Sequence, residues 1–436
     1  MSGEAISKGT RFGPVRLVPG VSRVNVSIYL LSAFTGMILN TFISVVQPYV
    51  LNVNLGLPVE AQGQVSGDMV FYGEVVILLF SALIGILTDK LGRRGMYSAG
   101  FVLMGAGYAL YGYVDSVGTL AAVRMFLATS IAVMNVMIAT VQADYPEDES
   151  RGKLVGLTGF VIGLGAVLIG VGLARLPFWF VGAGYDELVA GRLTMFVMTG
   201  IAWTMAVVVW FGLSRNPGSV EKNTVGVAEG MLIGLAAAKN NLRIALAYGC
   251  AFVSRGDLVV VGTFYVLWIN QAAMATGMSP DEASKTAGGL FGLVMGSALL
   301  WAPVSGWISD RFDRVTAMAI AMGLCAVGYS SMGFIDDPLS SLMYPAGVLL
   351  GMGQMSAITA SQTLIGQEAP AASRGTVIGV FSFFGAAGVM FITSVGGRLY
   401  DAIDPTAPFV LIGVVNALLL VCALLLRKHS IKSESN

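Results

Sequence analysis

Apolar runs long enough to cross a bilayer recur along the whole chain. A hydrocarbon core of about 30 Å takes about 20 helical residues. Runs of that kind fall at 26–51, 68–88, 96–114, 118–143, 153–175 and 192–213. After a break they resume at 242–269, 286–308, 315–335, 339–365, 376–397 and 406–426. They predict about twelve transmembrane helices and an all-α membrane protein, because a helix in lipid satisfies its own backbone hydrogen bonds. The stretch 214–241 differs in character. It carries Arg215, Asn216, Pro217, Glu221 and Lys222, and predicts one short apolar helix over 228–238. The organisation expected is a polar tail (1–25), a six-helix bundle (26–213), a linker (214–241), a second six-helix bundle (242–427) and a tail (428–436).

Composition sharpens this picture. Of 436 residues 56% are hydrophobic and 11% charged, with a mean hydropathy of +0.78. Soluble domains are about 25% charged, so hydrocarbon is the main solvent expected here. The formal net charge is zero, which gives no argument for a nucleic-acid partner. The first run is too long for a cleavable signal core and lacks a small-residue cleavage site, so a retained helix is expected. Basic residues crowd the loops on the side of the N-terminus, among them Lys90, Arg93, Arg94, Arg151, Lys153 and Arg311. The positive-inside rule then puts both termini in the cytoplasm, and the expected location is a bacterial cytoplasmic membrane. The three cysteines sit in apolar runs, where packing rather than a disulfide framework is expected.

The halves repeat. Gly85-Ile-Leu-Thr-Asp89-Lys-Leu-Gly92-Arg93-Arg94 follows the second run, and Gly306-Trp-Ile-Ser-Asp310-Arg-Phe-Asp-Arg314 follows the eighth, about 221 residues later. Arg151-Gly152 opens the fifth run and Arg374-Gly375 the eleventh, about 223 residues later. Repeats of this kind mark transporters whose site lies between the copies.

On these residues the chain resembles the major facilitator superfamily along essentially its whole length. Gly85–Arg94 is similar to the family's G-x-L-x-D-R-x-G-R-[KR] loop, with Lys90 in place of the usual Arg. Gly306–Arg314 is similar to the weaker second copy, with Asp313 replacing a glycine. Asp144 through Arg151 and Glu368 through Arg374 resemble the acid-x-x-R-G loops after helices four and ten. The resemblance implies two pseudo-symmetric six-helix bundles rocking around a central site. It also implies a gating role for Gly85, Asp89, Gly92, Arg93, Arg94, Asp144, Arg151, Asp310, Arg314, Glu368 and Arg374.

Ionisable groups in the membrane are costly and suggest function. At 1.5 Å per residue, Glu74 lies about 16 Å from the edge at Gly85, near the midplane. It is the leading candidate for a proton or substrate-cation site, against a hydrogen-bonded acid buried between helices. Asp68 and Arg124 lie at similar greater depth and are expected to pair. Arg124 matches the arginine in helix four of drug–proton antiporters, but Leu127 and Ala128 stand where R-x-x-Q-G requires Gln and Gly. That departure weakens a drug-efflux reading. Arg255 and Asp257 lie about 18 Å deep. Positions two apart on a helix cannot both face one cavity, so either one turns to a neighbouring helix or Gly256 breaks the helix. Arg255 is a candidate anion ligand. Asn40, Gln47, Asn135, Tyr265 and Gln354 are polar candidates at useful depth, while Trp268 is expected in the interfacial aromatic belt.

No phosphate loop is present, and the single histidine, His429, follows the last run. No cofactor, resident metal site or enzymatic triad is expected. Proton coupling would fall to carboxylates such as Glu74 or Asp257. The function expected is secondary active transport of a small polar or charged organic solute by alternating access, coupled to a proton or another ion, by a functional monomer. Drug efflux and a passive facilitator or sensor on the same scaffold are the alternatives.

Overall fold

The computed structural model describes residues 10–214, 227–370 and 373–434. Within its helices the side chains at 82, 85, 86, 89, 90, 148, 171, 227–228 and 428–434 are outside the described set. The expectations for Gly85, Asp89, most of the linker and both extreme tails therefore lie outside the described residues.

The first half contains α1 (Arg23–Val53), α2 (Val59–Tyr111), α3 (Val117–Asp144), α4 (Arg151–Val171), α5 (Leu176–Gly182) and α6 (Glu187–Gly212). A connecting helix α7 (Val227–Asn240) follows. The second half contains α8 (Leu242–Val260), α9 (Val266–Ala275), α10 (Pro280–Arg311), α11 (Arg314–Ser331), α12 (Met343–Glu368), α13 (Arg374–Ala402) and α14 (Ala407–Glu434). Among the described residues ten helical segments are long and apolar enough to cross a membrane. The arm of α2 after Gly92, together with α12, brings the long passes to the twelve that the apolar runs predicted.

Local chemistry sets the ends and bends. Ser22 accepts from the Asn25 N–H to start α1, and Asp313 accepts from the Thr316 N–H to start α11. Such caps satisfy backbone donors left free by the first turn. Within α2, Gly92 has φ 77°, a left-handed conformation that favours glycine. That one residue turns the second pass into the third without a loop. Between α8 and α9 a π-helical turn occupies Val261–Tyr265. Of the two alternatives for Arg255 and Asp257, a break at Gly256 is not the one observed. Gly256 instead sits in regular helix, packed against Ile392 of α13.

The N-terminal segment is more ordered than a polar tail. Arg11–Phe12 and Val15–Arg16 form a hairpin, β1 and β2, turned at Gly13 with φ 52°. It docks on the α3–α4 connection, where the Arg16 N–H donates to Ser150 Oγ at 3.0 Å and Leu17 bridges to Pro146.

The two halves pack through α2 against α13 and α4 against α10. Small residues permit this approach. A Cβ on Gly67 would meet the Thr393 carbonyl, and one on Gly170 would meet Gly292 and Gly288.

Candidate solute-binding site and gates

A cavity of about 190 Å³ lies between the halves near mid-helix. Its polar lining comes entirely from the first half: Asn40, Thr41 and Ser44 of α1, Glu74 of α2, and Arg124 and Asn135 of α3. The second half contributes Leu258, Val259, Gly262, Phe291 and Met295, all apolar or glycine. Helical spacing brings the α1 group together, since Asn40, Thr41 and Ser44 share one face. The π-helical turn supplies Gly262 to the opposite wall, and its Cα side faces Ser44.

Arg255 lies one turn from Leu258 toward the end of the bundle that carries the termini. It is exposed although about 20 Å along α8, so the cleft between the halves admits solvent to that depth. Its alkyl stem runs beside Gly385 of α13, and its charge acts on the Glu74 carboxyl across the cleft. Among the described residues, neither Arg124 nor Arg255 has a carboxylate within salt-bridge distance. Arg124 lies close to the Tyr108 and Tyr111 rings. Tyr108 donates to the Leu39 carbonyl, which fixes its ring, while the Tyr111 hydroxyl has no partner.

The expected Asp68–Arg124 pair is not formed. Asp68 instead accepts from Arg398 of α13 at 3.2 Å. The reason is geometric: Asp68 faces the second half, whereas Arg124 projects into the cavity. Asp257 is also outside the cavity, with no exposure, inside the second half. Gln47 donates to Ser66 Oγ at 2.9 Å and is buried within the first half. Tyr265 and Gln354 are buried in the second half and line no part of the cavity. Trp268 is 5% exposed and packs on Phe409, so protein rather than an interface surrounds it.

Polar contacts close the cleft at the end away from the termini. Asp401 accepts from the Gly63 and Gln64 N–H groups at 2.9 and 2.6 Å. Asn52 donates to Asn270 Oδ1 at 3.1 Å, and Gln271 donates to Gln62 Oε1 at 3.1 Å. With Arg398–Asp68 these form a gate that sequence reasoning missed. Its signal was the small-residue pairs Gly63 with Gly67 and Gly396–Gly397, where backbones touch.

At the opposite end the repeated loops take up similar but unequal contacts. Arg93 Nε donates to Asp144 Oδ2 at 2.9 Å, with side-chain exposures of 15% and 7%. Arg94 stacks over Trp210 at 4.9 Å, and Arg151 reaches toward the Ala143 carbonyl at 3.4 Å. In the second half Arg314 donates to Gln367 Oε1 at 2.8 Å and lies 3.6 Å from Asp310. Glu368 accepts instead from Arg243 at 3.0 Å and from Asn241 at 2.9 Å. Arg374 is exposed. At nearby, exposed Asp313, partial desolvation alone would raise the pKa. Hydrogen bonds from Thr316 and the Arg243 charge outweigh that and hold the carboxyl below its usual range.

Two pseudo-equivalent bundles, a gate closed at one end and a central polar cavity reached from the other define a secondary transporter that works by alternating access. The sequence profile of the Major Facilitator Superfamily matches residues 28–393 and also 247–436. The chain belongs to this family of transporters, and is not an enzyme. It is 29% identical over 411 residues to magnetosome protein MamH of Paramagnetospirillum magneticum, covering 92% of each chain. It is 23% identical to magnetosome protein MamZ of Magnetospirillum gryphiswaldense over 88% of this chain, which spans 59% of that longer protein. Probable nitrate/nitrite transporter NarK2 of Mycobacterium tuberculosis is 24% identical, covering 78% of this chain and 80% of its own. Among solved structures, nucleoside transporter NupG superposes with a TM-score of 0.70 at 13% identity, over 92% of this chain and 99% of its own. The D-xylose-proton symporter gives 0.65 at 16% identity, over 90% and 96%.

Proposed function

We propose that the chain carries a small anion across a bacterial membrane, bound in the central cavity by Arg124 with Arg255 one turn away beside the cavity, and coupled to a proton on Glu74. The observation that carries this reading is the charge pattern. Among the described residues, Arg124 and Glu74 are the charged groups lining the cavity, Arg255 lies beside it, and neither arginine has an acid in salt-bridge distance. An anion that supplies hydrogen-bond acceptors to the Arg124 guanidinium is therefore held there by charge-assisted bonds. Protonation of Glu74 would remove the negative charge that competes with that anion. Proton and solute would then favour the same loaded state, the basis of symport.

Size supports the same reading. Drug-sized ligands occupy pockets of about 300–1,000 Å³, larger than the 190 Å³ found here. Efflux of bulky amphipathic compounds fits poorly. Likeness to NarK2, named a probable nitrate/nitrite transporter, supports a small anion as cargo. Likeness to MamH, named a magnetosome protein, along 92% of both chains supports work in a magnetosome membrane, and the basic loops on the side of the termini support both termini in the cytoplasm.

Reconstitution tests the reading. Proteoliposomes with an imposed inward proton gradient should accumulate at least one of nitrate, nitrite or a small carboxylate above its equilibrium level, and a protonophore should abolish that accumulation. Equilibration without accumulation would mark a passive facilitator. Failure to move any anion while transporting a cationic or amphipathic compound would overturn the reading.

A further inference from the structure

An exposed groove lies on the first half, away from the cavity. It runs between α6 and the arm of α2 that follows Gly92, and holds about 300 Å³. Arg94, Ser98 and Val102 repeat every four residues along that arm, while Trp203, Val207 and Trp210 share one face of α6. The two helices run in opposite directions, so Trp210 meets the Arg94 end and Trp203 the Val102 end. Trp203 Nε1 donates to the Val102 carbonyl at 3.2 Å, and Ser98 Oγ donates to the Ala206 carbonyl at 2.8 Å. The Arg94 guanidinium lies over the Trp210 ring, 4.9 Å from its centre.

The groove is apolar along its length and charged at one end. Val102, Trp203, Val207, Trp210 and Phe211 are all exposed large apolar side chains. The Trp203 N–H and the Ser98 hydroxyl are satisfied within the protein. Arg94 differs: its Nε is buried with no hydrogen-bond partner, and among the described residues no carboxylate is within salt-bridge distance of it. Direction matters as well. Trp210 lies two residues before α6 ends at Gly212, whose carbonyl accepts from Asn25 at the start of α1. The Arg94 end is therefore the one that carries the termini, at the membrane surface. Trp203 lies seven residues, about 10 Å, further into the hydrocarbon.

We propose that this groove binds an anionic phospholipid, with its phosphate on Arg94 and one acyl chain along Trp210, Val207 and Trp203. A surface cation leading into an apolar trench is the complement of an amphiphile with a negative head. A guanidinium stacked on an indole presents its N–H edge, which matches a phosphate bidentately. A second copy fits this face less well. Two chains of one orientation meeting here about a two-fold axis would bring both Arg94 charges to one level of the membrane. The site is separate from the solute cavity and does not depend on which solute is carried.

Tryptophan quenching in proteoliposomes of the full-length protein tests it. Bilayers of equal phosphatidylglycerol and phosphatidylcholine would carry bromine, a contact quencher of indole, on the chains of one lipid or the other. Brominated phosphatidylglycerol should quench wild type as though favoured about fivefold, the preference that one arginine near a membrane surface gives. That excess should vanish in Arg94→Gln. It should also vanish when Trp203→Phe and Trp210→Phe are combined; this variant keeps Arg94, so the test stands even where Arg94→Gln folds poorly. Equal quenching by the two lipids in wild type would overturn the proposal, as would an excess that survives either change. Disulfide-linked dimers of Phe211→Cys in a Cys422→Ser background, without excess quenching, would assign the face to a second copy and overturn it too.

Discussion

The two halves share a fold and differ in where they put charge. The first half turns Glu74 and Arg124 into the cavity, beside Asn40 and Asn135. The repeat offset of about 221 residues carries Glu74 onto Met295, which lines the same cavity from the other side. The second half keeps its own acid, Asp257, within its helices and offers solute an apolar wall. From that side Arg255 reaches toward the cavity, and Arg398 and Asp401 close the far end of the cleft. The two copies thus keep one frame while they differ in the polar groups they turn to the cavity. An apolar wall has a physical use: it can slide past a bound ion without first breaking hydrogen bonds to it.

Breaking the contact between the halves has the largest expected effect. Gly67→Leu places a side chain where the Thr393 carbonyl lies, so the end away from the termini cannot close. Uptake should be abolished while the protein still folds, as judged by monodisperse elution in detergent. Next comes Glu74→Gln. It should remove gradient-driven accumulation while leaving gradient-independent exchange of anion, which separates coupling from binding. Normal accumulation with unchanged pH dependence would exclude Glu74 as the proton carrier.

The repeated loops give a smaller contrast. Arg93–Asp144 is a largely buried ion pair, and removing one partner of such a pair costs about 3 kcal/mol. Arg314 bonds to the neutral Gln367 with a carboxylate only at 3.6 Å, and losing a bond of that kind costs about 1 kcal/mol. Arg93→Ala should therefore lower the melting temperature more than Arg314→Ala. Equal losses would mean that the two loops are energetically alike. The smallest effect belongs to the α11 cap. Asp313 has a depressed pKa in the folded state, so it stabilises above the ordinary aspartate range and loses that contribution as pH falls through the depressed value. Asp313→Ala should cost about 1 kcal/mol at neutral pH and almost nothing at strongly acidic pH, read from denaturation midpoints in detergent.

The fold was largely legible because its signals are periodic. Apolar runs gave the passes, with ends off by up to nine residues at the second, which begins at Val59, and the paired loops gave the duplication. Within the site, Glu74, Arg124, Asn40 and Asn135 line one cavity. Helix rise put Glu74 near the midplane but Arg124 nearer the outer boundary, so depth brought out the candidates and not that Glu74 and Arg124 share a wall. Partners were not recoverable. Asp68 and Arg124 share a depth, yet a helix can turn either residue away, and Asp68 went to Arg398. Depth alone also grouped Arg255 with Asp257, which face different surroundings. Tyr265, Gln354 and Trp268 showed the same limit, since a polar or aromatic residue at mid-depth packs inside a bundle as readily as it faces a cavity. The gate through Asp401 and the docked N-terminal hairpin depend on backbone groups meeting across long sequence distances, which no single-run pattern carries.

Anion binding to the detergent-purified protein decides most directly between a charged first half and a merely porous scaffold. Isothermal titration of nitrate, nitrite and small carboxylates would be run on wild type, Arg124→Gln and Asp257→Asn. At least one anion should bind wild type, weaken about tenfold or more in Arg124→Gln and keep its affinity in Asp257→Asn. Equal binding by wild type and Arg124→Gln would contradict the assignment of solute recognition to the first half.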